Sequence, residues 1–177
     1  KAQNYETAIK YYKKAVNLNP EFAEAYFNLG LAYEEIGEIE EAAKNYNKSV
    51  QLKPTLGGYL SLSVALYMEG AYSIAESSFQ KAVELCDETP DSLNNLGYTL
   101  YKMGKINESI EYYKKALEKD PDFYMAHYNL AVVYNKIGNL EEALQAYLKV
   151  VELEPKKNAP ALNNLGTIYE KMGKFEK

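Results

Sequence analysis

The 177-residue chain contains no arginine and no tryptophan, and it has only one cysteine and one histidine. Without arginine it lacks the planar fork that binds phosphate or guanine through two hydrogen bonds. Its formal charge of −5 also disfavours a polyanionic partner, so we expect no nucleic acid. One cysteine excludes a disulfide framework and a thiolate metal site, and we expect neither a metal nor another cofactor.

Long hydrophobic runs are absent as well. No stretch approaches 18 apolar residues without a charge, so we expect no membrane insertion. The first residues, Lys1 to Tyr5, lack the apolar core of a signal peptide. A cytoplasmic location is therefore the expectation.

What the chain does contain is an internal repeat. Pro20, Pro54, Pro121 and Pro155 are separated by 34, 67 and 34 residues. Five glycines between positions 37 and 173 and a series of aromatic residues keep nearly the same spacing. A period shared by three kinds of residue predicts a repeat architecture, with a unit of about 34 residues.

Each unit has the pattern of two helices joined by a turn. Leu93, Leu96 and Leu100 recur at the spacing of one helical face. A glycine follows each such segment, and glycine adopts the left-handed conformation that ends a helix without steric cost. The second segment stops before a proline, because the residue that precedes proline is disfavoured in the α region. The pattern predicts one helical hairpin in every unit.

This pattern resembles the tetratricopeptide repeat family along the whole chain. That family places a large residue at position 4 of each repeat, Leu at 7, a small residue at 8, Gly at 15, an aromatic residue at 24 and Pro at 32. The unit that begins at Pro90 supplies Leu93, Leu96, Gly97, Leu100, Gly104, Ser109, Tyr113, Ala116 and Pro121. The resemblance implies an all-α protein, a right-handed solenoid of antiparallel helical hairpins with about ten helices.

The resemblance also predicts a single array and its internal boundaries. We expect a half repeat at 1–22, full repeats at 23–55, 56–89, 90–123 and 124–158, and a half repeat at 159–177. Half repeats at both ends are typical of a fragment of a longer array. The end helices carry apolar residues where a polar outer face is usual, and we expect them to associate end to end. These residues are Ile9, Tyr12, Val16, Ile168, Tyr169 and Phe175. The repeat at 56–89 departs most from the pattern, and Gly57-Gly58 predicts that its first helix starts late.

The resemblance places the binding surface on the first helix of each hairpin, which lines the concave side of such arrays. We expect an extended peptide or protein segment as the partner and an interaction scaffold as the function. The candidate binding residues are asparagines at position 6 with neighbouring tyrosines and lysines: Asn28, Asn95, Asn129, Asn164, Tyr67, Tyr98, Tyr101, Tyr128, Lys102, Lys136 and Lys171. Residues at position 5, such as Leu60 and Asn94, are expected beside them.

The asparagines allow two interpretations. A side-chain amide both donates and accepts hydrogen bonds, so it can bind a passing peptide backbone whatever its sequence. With first helices about 10 Å apart, one asparagine would meet about every third residue of an extended chain. This series is similar to the asparagine ladder of the O-linked N-acetylglucosamine transferase repeats. Alternatively, asparagine at this position only caps a helix or fits the turn of the superhelix, since the family commonly has asparagine there.

No constellation of catalytic residues emerges, and we expect no enzyme activity. Cys86 and His127 form the only available nucleophile–base pair, but they fall in different repeats, and His127 occupies a packing position. Adjacent carboxylates such as Glu34-Glu35 point in different directions on a helix and are expected to be solvated. Two alternatives to a free-standing scaffold stay open: the substrate-recognition arm of a larger enzyme, such as a glycosyltransferase, and a self-assembling structural module.

One subtype of the family is excluded by its signature. Its carboxylate clamp, which holds the terminal carboxylate of a chaperone tail, requires Lys at position 5 of a repeat and Asn at position 9. Position 5 here holds Phe27, Leu60, Asn94, Tyr128 and Asn163, and position 9 holds Leu31, Val64, Tyr98, Val132 and Thr167. The clamp is therefore absent.

Overall fold

The structure is a computed structural model that describes residues 2–154 and 158–173. These residues form ten α-helices and no strand, which confirms the predicted all-α class. The helices are α1 (Ala2–Leu18), α2 (Ala23–Glu35), α3 (Ile39–Leu52), α4 (Leu56–Met68), α5 (Tyr72–Glu84), α6 (Pro90–Lys102), α7 (Ile106–Lys119), α8 (Tyr124–Ile137), α9 (Leu140–Leu153) and α10 (Ala159–Lys171). Pro155, which marks the end of a repeat in the sequence, lies outside the described residues.

The chain divides into two compact units, residues 1–86 and 87–177. The first unit contains α1 to α5, with α2 packed on α3 and α4 packed on α5. The second unit contains α6 to α10, with α6 packed on α7 and α8 packed on α9. These four pairs are the hairpins that the repeat pattern predicts.

Glycine ends the first helix of each hairpin, as predicted. Gly37, Gly70, Gly104, Gly138 and Gly173 all have positive φ, between 65° and 84°. Gly138, for example, caps α8 with φ 83° and ψ 5°, the left-handed conformation that other residues rarely adopt. The turn then leads directly into the second helix.

A second small residue in each first helix makes room for an aromatic ring. A Cβ atom at Gly30 would lie 2.6 Å from Cδ1 of Tyr46, and one at Gly97 would lie 2.8 Å from Cδ1 of Tyr113. Both rings are almost completely buried between the two helices of their hairpin. In these two hairpins, the pairing of positions 8 and 24 therefore holds the helices together.

The expectation of a late start for α4 is wrong. The helix begins at Leu56, before the two glycines, because the Thr55 side chain caps it. The Gly58 amide donates to Thr55 Oγ1 over 3.1 Å. Thr89 caps α6 in the same way, with Pro90 at the first helical position.

The apolar residues on which the expectation of exposed ends rested differ in exposure. Tyr12 is half-buried, and Phe175 lies outside the described residues. Ile9 and Val16 are buried in the core of the first unit, because α1 packs on α2. Ile168 is buried against α9, whereas Tyr169 is 38% exposed. Association through the ends stays a prediction without this support. None of the described helices combines the length and apolar character that crossing a bilayer requires.

Candidate peptide-binding surface

The first helices of the second unit, α6 and α8, together with α10, carry most of the predicted binding residues. We call the following set the inner surface of the second unit: Asn95, Tyr98, Tyr101, Lys102, Tyr128, Asn129, Lys136, Asn164 and Lys171. All nine side chains are exposed or half-buried. The structure thus leaves every one of them accessible to some degree.

Two contacts show that equivalent ends of these helices are neighbours. Lys136 Nζ on α8 lies 4.7 Å from the centre of the Tyr101 ring on α6. Lys171 Nζ on α10 donates to Asn135 Oδ1 on α8 over 2.9 Å. Each of these lysines contacts a residue of the preceding repeat. The three helices therefore present their equivalent residues in adjacent rows.

Two of the four predicted ladder asparagines take part in packing between repeats. Asn129 Nδ2 donates to Asn94 Oδ1 over 2.9 Å, and Asn164 Nδ2 donates to the Tyr147 hydroxyl over 3.0 Å. The other donor and acceptor positions of both side-chain amides have no partner among the described residues. Asn95 differs from them, because its side chain is exposed and makes no hydrogen bond within the described part of the chain.

Position 6 of two repeats lies near the tyrosine of the preceding repeat. In the first unit, burial raises the pKa of Tyr46, and the neighbouring Ser61 side chain acts in the opposite direction. In the second unit, Asn164 makes the corresponding contact with Tyr147. Burial raises the pKa of Tyr147 to about 12, and the bond from Asn164 again acts in the opposite direction. The contacts of Asn129 and Asn164 favour a structural role over peptide binding for these two members of the asparagine series.

Asn94 is the residue whose role the sequence did not reveal. It was expected to line the groove with Leu60, yet it is only 3% exposed, and Leu60 is 7% exposed. For Asn94 the reason is that its side chain faces α8, where it accepts the hydrogen bond from Asn129. Position 5 also holds an asparagine at Asn163, which is exposed, so residue type alone gave no signal for the role of Asn94.

The tyrosines of the second unit offer an aromatic surface. Tyr98 is 48% exposed, while Tyr101 and Tyr128 are half-buried. The Tyr128 ring stands edge-on to Tyr147, with 5.7 Å between the ring centres. Tyr128 also borders a cavity of about 370 Å³, whose lining residues are Tyr124, Tyr128, Val150, Glu154, Asn158, Pro160 and Ala161. This cavity did not emerge from the sequence, because it combines three separate helices.

The first unit has an inner surface of different composition. We define it by all exposed and half-buried residues of α2 and α4 at positions 5, 6, 9, 12 and 13 of the repeat, which is a wider selection than the predicted residues of the second unit: Phe27, Asn28, Leu31, Glu34, Glu35, Ser61, Val64, Tyr67 and Met68. Asn28 is half-buried, and the Tyr67 ring packs on Tyr72 with 5.0 Å between ring centres. The set contains two carboxylates and no lysine. It holds two of the eleven predicted binding residues, and the second unit holds the other nine.

Glu34 corrects the expectation that adjacent acidic residues are merely solvated. It is half-buried and accepts a hydrogen bond from the Tyr46 hydroxyl over 2.6 Å. Burial raises the pKa of Tyr46, and the Glu34 carboxylate raises it further. Glu34 is therefore part of the hairpin packing, whereas Glu35 is exposed.

The side-chain types that commonly act in catalysis do not come together among the described residues. His127 is half-buried, and its Nε2 donates to the Pro121 carbonyl over 2.8 Å. Cys86 belongs to the first unit and His127 to the second. Across residues 2–154 and 158–173, no group of three or more His, Cys, Asp or Glu side chains is placed to hold a metal ion.

Comparison with known proteins gives the same assignment at several points of the chain. Models of the tetratricopeptide repeat match residues 1–37, 23–56, 94–160 and 146–177. Hsp70-Hsp90 organizing protein 2 from Arabidopsis thaliana is 32% identical over 85 residues, which are 48% of this chain and 15% of that protein. The E3 ubiquitin-protein ligase TTC3 of Mus musculus is 30% identical over 95 residues, 53% of this chain and 5% of that protein.

A solved structure matches over nearly the whole chain. The crystal structure of YrrB, described as a TPR protein with an unusual peptide-binding site, superposes with a TM-score of 0.59 at 26% identity. The match covers 92% of this chain and 84% of that one. The repeat models, the relatives and the ten helices agree, and the chain belongs to the tetratricopeptide repeat family.

Proposed function

We propose that this chain is a protein-interaction scaffold and that it binds an extended segment of a partner protein on the inner surface of the second unit. The observation that carries the proposal is the exposure of Asn95 and Tyr98 side by side on α6. Buried tyrosines hold the hairpins together, whereas Tyr98 is left uncovered by its own unit. An uncovered aromatic residue beside a free amide is suited to a peptide.

The chemistry of the surface supports a polypeptide ligand. Tyrosine provides a large contact area at low cost in side-chain entropy, and it is enriched in binding hot spots. The Asn95 amide has no hydrogen bond within the described residues, so it is available to both the N–H and C=O of a passing chain. The cavity beside Tyr128 has room for one side chain of that segment.

The comparisons support the same class of function. The relative from Arabidopsis thaliana is named for organizing two other proteins, and YrrB is described as having a peptide-binding site. The chain spans 15% of the former, so the activity of the whole protein is a separate matter. We propose no catalytic role for the described residues. The similarity to a ubiquitin ligase over 5% of its length supports, as a second possibility, a recognition arm within a larger enzyme.

Display of random peptides against the chain, followed by calorimetry with the enriched sequences, tests the proposal. We expect Tyr98→Ala combined with Asn95→Ala to weaken binding about tenfold or more, since central hot-spot residues contribute about 2 kcal/mol. Tyr11→Ala combined with Asn107→Ala is the matched control, because both side chains are exposed and lie on α1 and α7. Failure to enrich any peptide, or equal losses in both double variants, would contradict the proposal.

Asn129 is unsuitable for this test, although it belongs to the predicted ladder. Replacing it with alanine would leave the buried Asn94 carbonyl oxygen without its hydrogen bond. An unsatisfied buried acceptor costs about 1–3 kcal/mol, so a loss of binding would be mixed with a loss of stability. Asn95→Ala avoids this problem because Asn95 is exposed.

A further inference from the structure

Two sets among the lysines of this chain have different surroundings. Four of them, Lys44, Lys105, Lys119 and Lys149, lie within 4.0 Å of a carboxylate. They are located on the second helices of the hairpins or at the turn before one. The lysines of the inner surface of the second unit have no carboxylate partner among the described residues. The ammonium groups on this side of the unit are therefore not neutralised by the chain itself.

The contacts that Lys136 and Lys171 do make are with neutral groups. Lys136 lies over the Tyr101 ring, and Lys171 donates to the Asn135 side-chain oxygen. These contacts hold each lysine against the preceding repeat while leaving most of its three donors free. Lys102 is exposed at the equivalent position of α6. The three ammonium groups thus form a row with one charge per repeat.

The spacing of this row fits an extended chain. Neighbouring helix axes lie about 8–10 Å apart, so the lysines recur at about that distance. An extended peptide rises about 3.3 Å per residue, and three residues cover the same distance. The one carboxylate at a neighbouring inner position is Glu170 on α10, which is exposed. The row therefore keeps an excess of positive charge although the chain as a whole is acidic.

We propose that the partner segment is acidic, with a carboxylate at about every third residue facing Lys102, Lys136 and Lys171. This inference rests on the proposed function and specifies the chemistry of its ligand. The position differs from that of a terminal-carboxylate clamp, because these lysines lie at the end of each first helix and meet side chains along the segment. The row selects negative charge along the chain, and the tyrosines and Asn95 bind the chain itself.

A peptide is favoured over a nucleic acid by the rest of the molecule. The chain has a formal charge of −5 and no arginine, so its overall field repels a continuous polyanion. A peptide with spaced carboxylates matches the spacing of the three lysines, and it places no continuous negative charge against the rest of the acidic protein. Single-stranded RNA is accordingly used as a competing probe in the test.

Fluorescence anisotropy with labelled peptides of about 12 residues provides the measurement, because that length spans three lysines with one further repeat. The probe repeats Glu-Ala-Ser, and a second peptide repeats Gln-Ala-Ser. We expect the first peptide to bind at least about tenfold more tightly than the second. Raising the salt concentration should weaken only the acidic peptide, since exposed charges are screened.

Two triple variants with equal change in net charge separate the row from the general charge. Lys102→Gln, Lys136→Gln and Lys171→Gln together should remove the preference for the acidic peptide. Lys48→Gln, Lys53→Gln and Lys114→Gln together should leave it, because these three lysines are exposed and lie elsewhere. Circular dichroism of both variants verifies that the helices are retained.

The outcomes distinguish this inference from the proposed function. Equal binding of both peptides, lost in the Tyr98→Ala and Asn95→Ala variant, would overturn the lysine row and retain the scaffold. Binding of neither peptide, together with no enrichment in peptide display, would contradict both. Tighter binding of single-stranded RNA than of the acidic peptide, lost in the row variant, would overturn the assignment of the row to an acidic polypeptide.

Discussion

At the ends of their first helices, the first unit carries Glu35 and Met68, whereas the second carries Lys102, Lys136 and, on α10, Lys171. All five are exposed and occupy the same position of the repeat. The helices that carry them are nevertheless built alike, each ending at a left-handed glycine. The residues that close a hairpin and those that face a partner are therefore separate sets. Because they are separate, the charge of the inner surface varies between the units while the fold stays the same.

The shared set is seen best at the buried tyrosines. Tyr46 in the first unit and Tyr113 in the second lie against a glycine of their own hairpin. Their hydroxyls have different surroundings, because Tyr46 donates to Glu34 and Tyr113 has no hydrogen bond within the described residues. The rings are thus common to both units, and the polar ends are specific to each. Three predictions test this division.

The largest expected effect is loss of both units at alkaline pH. Burial raises the pKa of Tyr147 to about 12 and raises that of Tyr46 and Tyr113 as well. A tyrosine in the unfolded chain loses its proton near pH 10, so the unfolded state binds fewer protons above that pH. Stability is therefore full below about pH 10 and falls as the pH rises toward 12. Helical circular dichroism and phenolate absorbance should change together.

Tyr113→Phe provides the control for alkaline unfolding. It removes a titrating group without removing a hydrogen bond made within the described residues, so stability at neutral pH should change little while the midpoint moves to higher pH. Complete titration of all tyrosines with the helices intact would show that these rings do not couple pH to folding.

Next in size is the effect of filling the space between glycine and ring. Gly30→Ala in the first unit and Gly97→Ala in the second should each cost about 1–3 kcal/mol, because the added Cβ would overlap a buried ring. Gly166→Ala at the equivalent position of α10 meets nothing within 4 Å and should stabilise by up to about 1 kcal/mol. Urea unfolding measures all three. A cost in only one unit would break the parallel between them.

The smallest expected effect is the difference in cost among three variants that each remove the hydroxyl of a buried tyrosine. Tyr46→Phe removes a hydrogen bond to a carboxylate and should cost about 1–3 kcal/mol. Tyr147→Phe removes the neutral bond with Asn164 and should cost about 1 kcal/mol. Tyr113→Phe at neutral pH supplies the baseline. Thermal unfolding at constant pH compares them, and equal costs for the three would mean that the hydroxyl partners are irrelevant.

Most of the fold was predictable from the sequence because it depends on periodic residues. Glycine at the helix end and aromatic residues at a fixed spacing have local physical causes, and all ten helices follow from them. The start of α4 was mispredicted because the propensity of Gly57 and Gly58 was weighed without the Thr55 cap. A single side-chain hydrogen bond outweighed two unfavourable residues.

The candidate surface was predictable in part. Its helices and the exposure of Asn95 and Tyr98 follow from the repeat position alone. The pairing of Asn129 with Asn94 does not, because it depends on how two repeats approach each other. For the same reason, the contact of Lys136 with the Tyr101 ring has no signature along the chain.

The buried bond from Asn129 to Asn94 also bears on whether the repeats of this chain are interchangeable modules. Duplicating or reordering the repeats would separate the two side-chain amides, and the buried one would lose its hydrogen-bond partner. Such a rearranged protein would keep its helices but lose stability at the new junction. The bond thus specifies which of these repeats must follow the other.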